Sequence, residues 1–222
     1  MKIGAHTLTF EAPLSPQEGE RLLRALKKTL TQSDKTLGGR GSVILLDDIS
    51  GKRVAIKPYL RGGLLGKINR ATYFGGGPTR AAREADLLKR LIPTAVSAPC
   101  PLGIIETGAF ARKCWLVMEA IPHDHTLATL NVDDSTLTAI FDALKPQIKV
   151  LIEMGIHHVD LHPGNIIITQ EMAPVIIDFD KAGEHITDTQ NLTQRYIQRW
   201  HRAVKKHNLP PSLSHHFDRI MA

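Results

Sequence analysis

The sequence predicts an α+β fold in two lobes. Three features carry that expectation. Short apolar strands and turn signals fill most of the first half, long amphipathic helical patterns occupy the second half, and an apolar hairpin interrupts those helices. At 222 residues, with 42% hydrophobic and 23% charged residues, the chain can bury a sizeable core in one domain or two small lobes.

The elements follow in order. Ser15 and Glu18 have capping-box spacing and Pro16 suits a first helical position, so a helix is expected from there, with Leu22, Leu23, Leu26 and Leu30 on one face. LGGRGS (37–42), VILLDD, a Ser50-Gly51 turn and RVAIKPY read as strand, turn, strand. A glycine-rich basic stretch, RGGLLGKINRATYFGGG (61–77), precedes a helix over about 79–91. Strands are expected near 103–107 and 114–121, and a long helix over 135–154. Its buried face would carry Leu137, Ile140, Phe141, Leu144, Ile148 and Leu151, and Pro146 should kink it. The strands NIIIT and VIID follow Gly155, and a last helix is expected over 188–207, ended by Pro210 and Pro211. The boundary between lobes is expected near 120–126. It would divide an N-terminal extension plus strand-rich lobe (1–120) from a mainly helical lobe (121–222).

The charge of +6, from 28 Lys and Arg against 22 Asp and Glu, favours an anionic partner. Cys100 and Cys114 form neither a disulfide framework nor a paired zinc motif. No signal peptide and no apolar run of membrane-spanning length is evident, so a cytoplasmic protein is expected. Aromatic content of 5% offers no stacking platform for single-stranded nucleic acid, and no DNA partner is expected.

The chemistry lies in the order of a few polar residues. Phosphoryl transfer from ATP needs backbone donors near the phosphates, a lysine held by a carboxylate, a positioned base and oxygen ligands for magnesium. Gly39, Arg40, Gly41 and Ser42 could line the phosphates, although glycines before a strand are common in hairpins. Lys57 ends VAIK, the pattern of a kinase phosphate-positioning lysine. Glu84 in the following helix is its best-placed carboxylate, with Asp86 as the rival. Residues 158–165, HVDLHPGN, match H-x-D-L-x-x-x-N. There Asp160 would be the base and Asn165 a magnesium ligand. Asp178 of Asp178-Phe179-Asp180 would be the second ligand. The adenine edge is expected against Met118, Glu119 and Ile121, the last two offering backbone groups.

These residues resemble a cut-down protein-kinase-like bilobal fold with a reduced C-terminal lobe. YLRGGLLGK (59–67), YFGGG, TRAAREADLLKRL, VDLHPGNIII and IIDFDKAG are similar to bacterial lipopolysaccharide core kinases. The 3-deoxy-D-manno-octulosonic acid (Kdo) kinases are the nearest subgroup, matching over roughly 37–205. The resemblance implies ATP- and Mg2+-dependent phosphorylation of a Kdo or heptose hydroxyl on lipid A, at the cytosolic face of the inner membrane. Asp180 stands where protein kinases have glycine, and no Ala-Pro-Glu segment follows. Both features depart from regulated protein kinases. The rival reading is a small atypical kinase or ATPase like the kinase subunit of the KEOPS tRNA-modification complex. A pseudokinase scaffold is disfavoured because the lysine, base and metal ligands are all present.

Three secondary signals complete the reading. Arg195, Arg199, Arg202, Lys205 and Lys206 make the last helix basic, which suits an acidic membrane surface or simply a solvated face. Arg61, Lys67 and Arg70 could meet acceptor anions or serve solubility. The histidine-rich stretches are weak zinc candidates, and the role of His162 is open.

Overall fold

The computed structural model describes residues 1–32, 43–59, 73–74, 77–109 and 111–222. The chain divides into two compact units. One comprises residues 1–86 with 100–120, the other 87–99 with 121–222. The α+β class expected from the sequence is the one found.

The first unit is built on an antiparallel sheet. Strands β1 (Lys2–Ile3), β2 (His6–Phe10), β3 (Ile44–Ile49), β4 (Lys52–Pro58), β5 (Tyr73–Phe74), β6 (Pro101–Thr107) and β7 (Ala111–Glu119) assemble in the order β1-β2-β6-β7-β4-β3, with β5 also paired to β7. Helix α1 (Pro16–Gln32) begins with the expected capping box. Ser15 Oγ accepts from the Glu18 N–H at 3.2 Å, and a Glu18 carboxylate oxygen accepts from the Ser15 N–H at 2.8 Å. Those Ser15 bonds, with the Ser50 N–H, hold the Glu18 carboxyl at about 2. Leu22, Leu23 and Leu26 of α1 share a core with Leu8, Ile49, Val54, Ile56, Ile105, Trp115 and Val117. Val54 and Ile56 therefore fix the inward face of β4, and the two-residue alternation turns Lys57 to the other face. The N-terminal hairpin, for which the sequence offered no reading, extends the sheet through the β2–β6 pairing.

Helix α2 (Arg80–Leu91) runs from the first unit into the second. In the second unit Asp133 caps α3 (Asp134–Glu153) by accepting from the Thr136 N–H at 2.8 Å. The expected apolar face of α3 is buried, and the helix continues through Pro146. A three-stranded sheet orders β10 (Pro174–Ile176), β9 (Ile166–Ile168) and β8 (His125–Thr126). Buried Gln147 staples α3 to this region, donating to the Pro174 carbonyl and accepting from the Ser97 N–H.

Helix α4 (Thr189–Lys206) buries Leu192, Tyr196, Trp200, Ala203 and Val204. It is not the last helix, because α5 (Ser212–Met221) follows it. Pro210 and Pro211 end α4 but also introduce α5, since proline is tolerated at a helix start, where the first N–H groups have no intrahelical partner. Trp200 stacks on Phe217 with centroids 4.1 Å apart, meets Phe141 edge-on and donates to the Leu213 carbonyl at 3.0 Å. This aromatic cluster locks the rotation of α4, which matters for the site below.

Candidate active site

In the first unit, Lys57 Nζ donates to both oxygens of Glu84, at 2.9 and 2.8 Å. Glu84 is only 3% exposed and Lys57 17%. Tyr59, two residues beyond Lys57 and past the end of β4, donates its buried hydroxyl to the same carboxylate. A buried carboxylate is tolerated because it is paired and hydrogen-bonded in this way. Asp86, the rival carboxylate, is exposed. Tyr59 was not foreseen, although strand periodicity carries the signal, since residues i and i+2 share a face.

Met118 is buried near the end of β7. The Glu119 N–H donates to the Cys100 carbonyl at 2.9 Å, so that donor is committed within the sheet. The Ile121 carbonyl lies 2.8 Å from His123 Nδ1. The Ile121 N–H makes no hydrogen bond among the described residues. Gly39, Arg40, Gly41, Ser42 and the RGGLLGK segment, with Arg61, Lys67 and Arg70, lie outside the described residues.

In the second unit, the loop after α3 is held from beneath. His158 is buried, its Nε2 sits 2.9 Å from the Ile177 carbonyl, and its ring meets Phe179 edge-on at 4.6 Å. Burial pushes its pKa down, against smaller opposing effects from the Ile177 carbonyl and Asp178. A neutral ring facing a carbonyl must carry its proton on Nε2. The Tyr196 hydroxyl bridges the loop, accepting from the His158 N–H at 3.0 Å and donating to the Ile156 carbonyl at 2.7 Å.

His162 has a definite place as the cap of a single 3-10 turn, Pro163–Asn165, where its Nδ1 accepts from the Gly164 N–H at 3.0 Å. Gly164 permits this, because a Cβ there would stand 2.9 Å from the His162 ring. Buried Asn165 donates through Nδ2 to the Asp160 carbonyl at 3.0 Å, so its amide oxygen is the end turned away from that carbonyl. Pairing of Ile176 with Ile166 and the Ile177 N–H bond to the Asn165 carbonyl bring Asp178 one residue past the position facing Asn165. Asp178 adopts a left-handed backbone (φ 70°), a sparsely populated conformation that breaks the strand at this point.

Asp160 itself is partly exposed, and Arg199 of α4 donates to its Oδ1 at 2.7 Å. Burial alone would raise the Asp160 pKa. The Arg199 hydrogen bond and charge, helped by His162 and Lys181, outweigh it and hold the carboxyl below its ordinary value. Asp160 is thus a carboxylate with a fixed cationic neighbour. The sequence places Arg199 only on the basic face of its helix, and no local pattern connects residues 39 apart in sequence. The apolar side of α4 is spent on the core, and Arg195, Arg202, Lys205 and Lys206 are exposed on the rest of its surface.

Among the described residues no cluster of three or more His, Cys, Asp or Glu could hold a metal. The Asn165 amide oxygen and the Asp178 carboxylate, brought near each other by the β9–β10 pairing, would offer a sparse set of oxygen donors. That fits magnesium, which is commonly held by one or two protein oxygens with substrate phosphates and water completing the shell.

Comparison with known proteins joins these observations. The profile of the Lipopolysaccharide kinase (Kdo/WaaP) family matches residues 25–219. The 3-deoxy-D-manno-octulosonic acid kinase of Mannheimia succiniciproducens is 33% identical over 177 residues, covering 76% of this chain and 73% of that protein. Kinases of the same description from Photobacterium damsela subsp. piscicida and Vibrio cholerae are each 28% identical, covering 79% of this chain and 75% and 76% of their own length.

Proposed function

Because the chain belongs to the lipopolysaccharide kinase (Kdo/WaaP) family and is a phosphotransferase, we propose that it moves the γ-phosphoryl group of ATP onto a hydroxyl of the Kdo sugar attached to lipid A. The choice of Kdo over heptose rests on the relatives, each described as a Kdo kinase. The observation that carries the reaction is the loop of residues 158–165. It presents an ionised Asp160 and ties that residue's carbonyl to Asn165.

The roles follow from the chemistry. Lys57, held by Glu84 and Tyr59, places and neutralises ATP phosphates. Met118, the Glu119 carbonyl and the Ile121 N–H receive the adenine, while Gly39, Arg40, Gly41 and Ser42 cover the phosphates. Asn165 and Asp178 hold magnesium, which when bound neutralises charge on the phosphates. Asp160 accepts a hydrogen bond from the sugar hydroxyl, orients its oxygen and takes its proton as the new P–O bond forms.

No helix among the described residues is long and apolar enough to cross a membrane. We assign the protein to the cytosolic face of the inner membrane, held by the exposed cations of α4. Each contributes about 1 kcal/mol near an anionic surface.

The test is transfer of label from ATP to purified Kdo-lipid A with magnesium, the Asp160→Ala variant alongside. Wild type should label the lipid, and the variant should be slower by roughly a hundredfold or more, the scale of a lost general base. Wild-type turnover by the variant would remove Asp160 from its role. Label that appears only on a heptose-bearing acceptor would move the reaction to the heptose.

A further inference from the structure

Arg199 is more heavily equipped than a carboxylate clamp requires. Its guanidinium has five N–H donors in a planar fork, and among the described residues only one is used, from Nη2 to Asp160 Oδ1. The side chain is 21% exposed, so the fork meets solvent as well as Asp160. Its position is preset by its neighbours on α4. Tyr196, three residues before, is pinned to the 156–158 backbone, and Trp200, one residue after, is pinned to Leu213 and Phe217. The exposed Lys181 adds positive charge to the same place.

An acceptor hydroxyl in reach of Asp160 lies within about 3 Å of that carboxylate. Arg199 stands 2.7 Å from the same group. The hydroxyl oxygen of any sugar presented to Asp160 therefore lies within about 6 to 8 Å of the guanidinium, and the substituents of the adjoining ring carbons stand beside it. A planar fork with spare donors matches a carboxylate, as it does a phosphate, through two parallel N–H···O bonds, and the carboxylate is the anion that the acidic sugar itself carries.

Resting on the transfer reaction above, we infer that Arg199 is a specificity-determining residue: it binds the carboxylate of the acidic acceptor sugar while keeping its bond to Asp160. An acidic octulosonate ring would then be bound at two points, its hydroxyl on Asp160 and its carboxylate on Arg199. A neutral heptose offers only the first. This sets Arg199 apart from the exposed cations on the same helix, which meet solvent and not the base.

The test compares Kdo-lipid A with the same lipid whose Kdo carboxyl has been converted to the primary amide, using the full chain with ATP and magnesium. With wild type, amidation should raise the acceptor KM about 10- to 100-fold, the scale of a lost charge-assisted pair. Arg199→Gln should raise KM by a similar factor on the acid lipid and hardly at all on the amide. Wild type that uses both lipids equally well overturns the inference and needs no variant, so a variant that fails to fold does not rescue it. An Arg199→Gln penalty that is equal on both lipids and falls on kcat also overturns it, leaving Arg199 as a positioning residue for Asp160. A KM that rises on removal of the lipid A phosphates but not on amidation would move the recognised anion to the phosphate. Wild type that labels neither lipid sinks the transfer reaction itself, and this inference with it.

Discussion

Replacing Glu84 with alanine should cost stability and activity together, and a second substitution should separate the two. Glu84 is 3% exposed and accepts two hydrogen bonds from Lys57 and one from Tyr59. Glu84→Ala takes the carboxylate away from the Lys57 ammonium, 17% exposed, and from the buried Tyr59 hydroxyl. Removing one partner of a buried ion pair costs 3–5 kcal/mol, and the residual exposure of Lys57 places this case near the lower end, at about 3 kcal/mol. For a chain of this size that corresponds to a fall in melting temperature of roughly 6–12 °C. Lys57→Met combined with Glu84→Leu removes both charges, and should recover part of the melting temperature by replacing the pair with apolar volume, the rest staying lost with the Tyr59–Glu84 bond. Phosphoryl transfer should stay lost, because the lysine proposed to place the phosphates is gone. Thermal melting and label transfer on the wild type, the single variant and the double variant are the assays. A Glu84→Ala protein that melts within about 2 °C of wild type would refute the claim that this pair is buried and mutually dependent.

Other substitutions probe the loop and the helix beneath it. Tyr196→Phe removes one hydroxyl that serves two backbone groups, the His158 N–H and the Ile156 carbonyl, both in a buried setting. It should cost about 1–3 kcal/mol, and unchanged denaturant unfolding would refute the bridge. His158 is buried neutral, its pKa below the ordinary 6.5. The unfolded chain therefore binds a proton that the folded chain refuses, and stability should fall as pH drops below about 6.5, by up to about 1.4 kcal/mol per pH unit for this group. A melting temperature that is flat from pH 7 to 5 would contradict it. Reversing Arg202, Lys205 and Lys206 to Glu should weaken binding to anionic vesicles at low salt while leaving label transfer to detergent-dispersed acceptor near wild type. Equal vesicle binding by that variant would exclude α4 as the membrane contact.

Several features were legible in the sequence because their causes are local. The Ser15–Glu18 capping box, the apolar face of α3 and the alternation that turns Lys57 away from Val54 and Ile56 are all set within a few residues. The candidates Lys57, Asp160, Asn165 and Asp178 could likewise be named from the sequence, since each stands in a short motif, whereas Glu84 had Asp86 as a rival in the same helix. The helix α5 was missed because a proline pair signals an end as readily as a start. The N-terminal hairpin was missed because β1 is two residues long and gains its meaning only by pairing.

What the sequence alone determined is therefore the class of fold and the reaction class, together with a short set of candidate residues for it. The tertiary structure alone decided how those residues are held. It chose Glu84 over Asp86, a distinction made by which one is buried. It added Tyr59 to Glu84 and gave His162 the work of a cap. Above all it brought Arg199 to Asp160 across 39 residues, a contact that depends on the rotation and height of α4. Those are set by Tyr196 and Trp200 packing into a core assembled from three helices and a loop. Such a contact leaves no trace in spacing, because it follows from where several elements come to rest and not from the order of residues within any one of them.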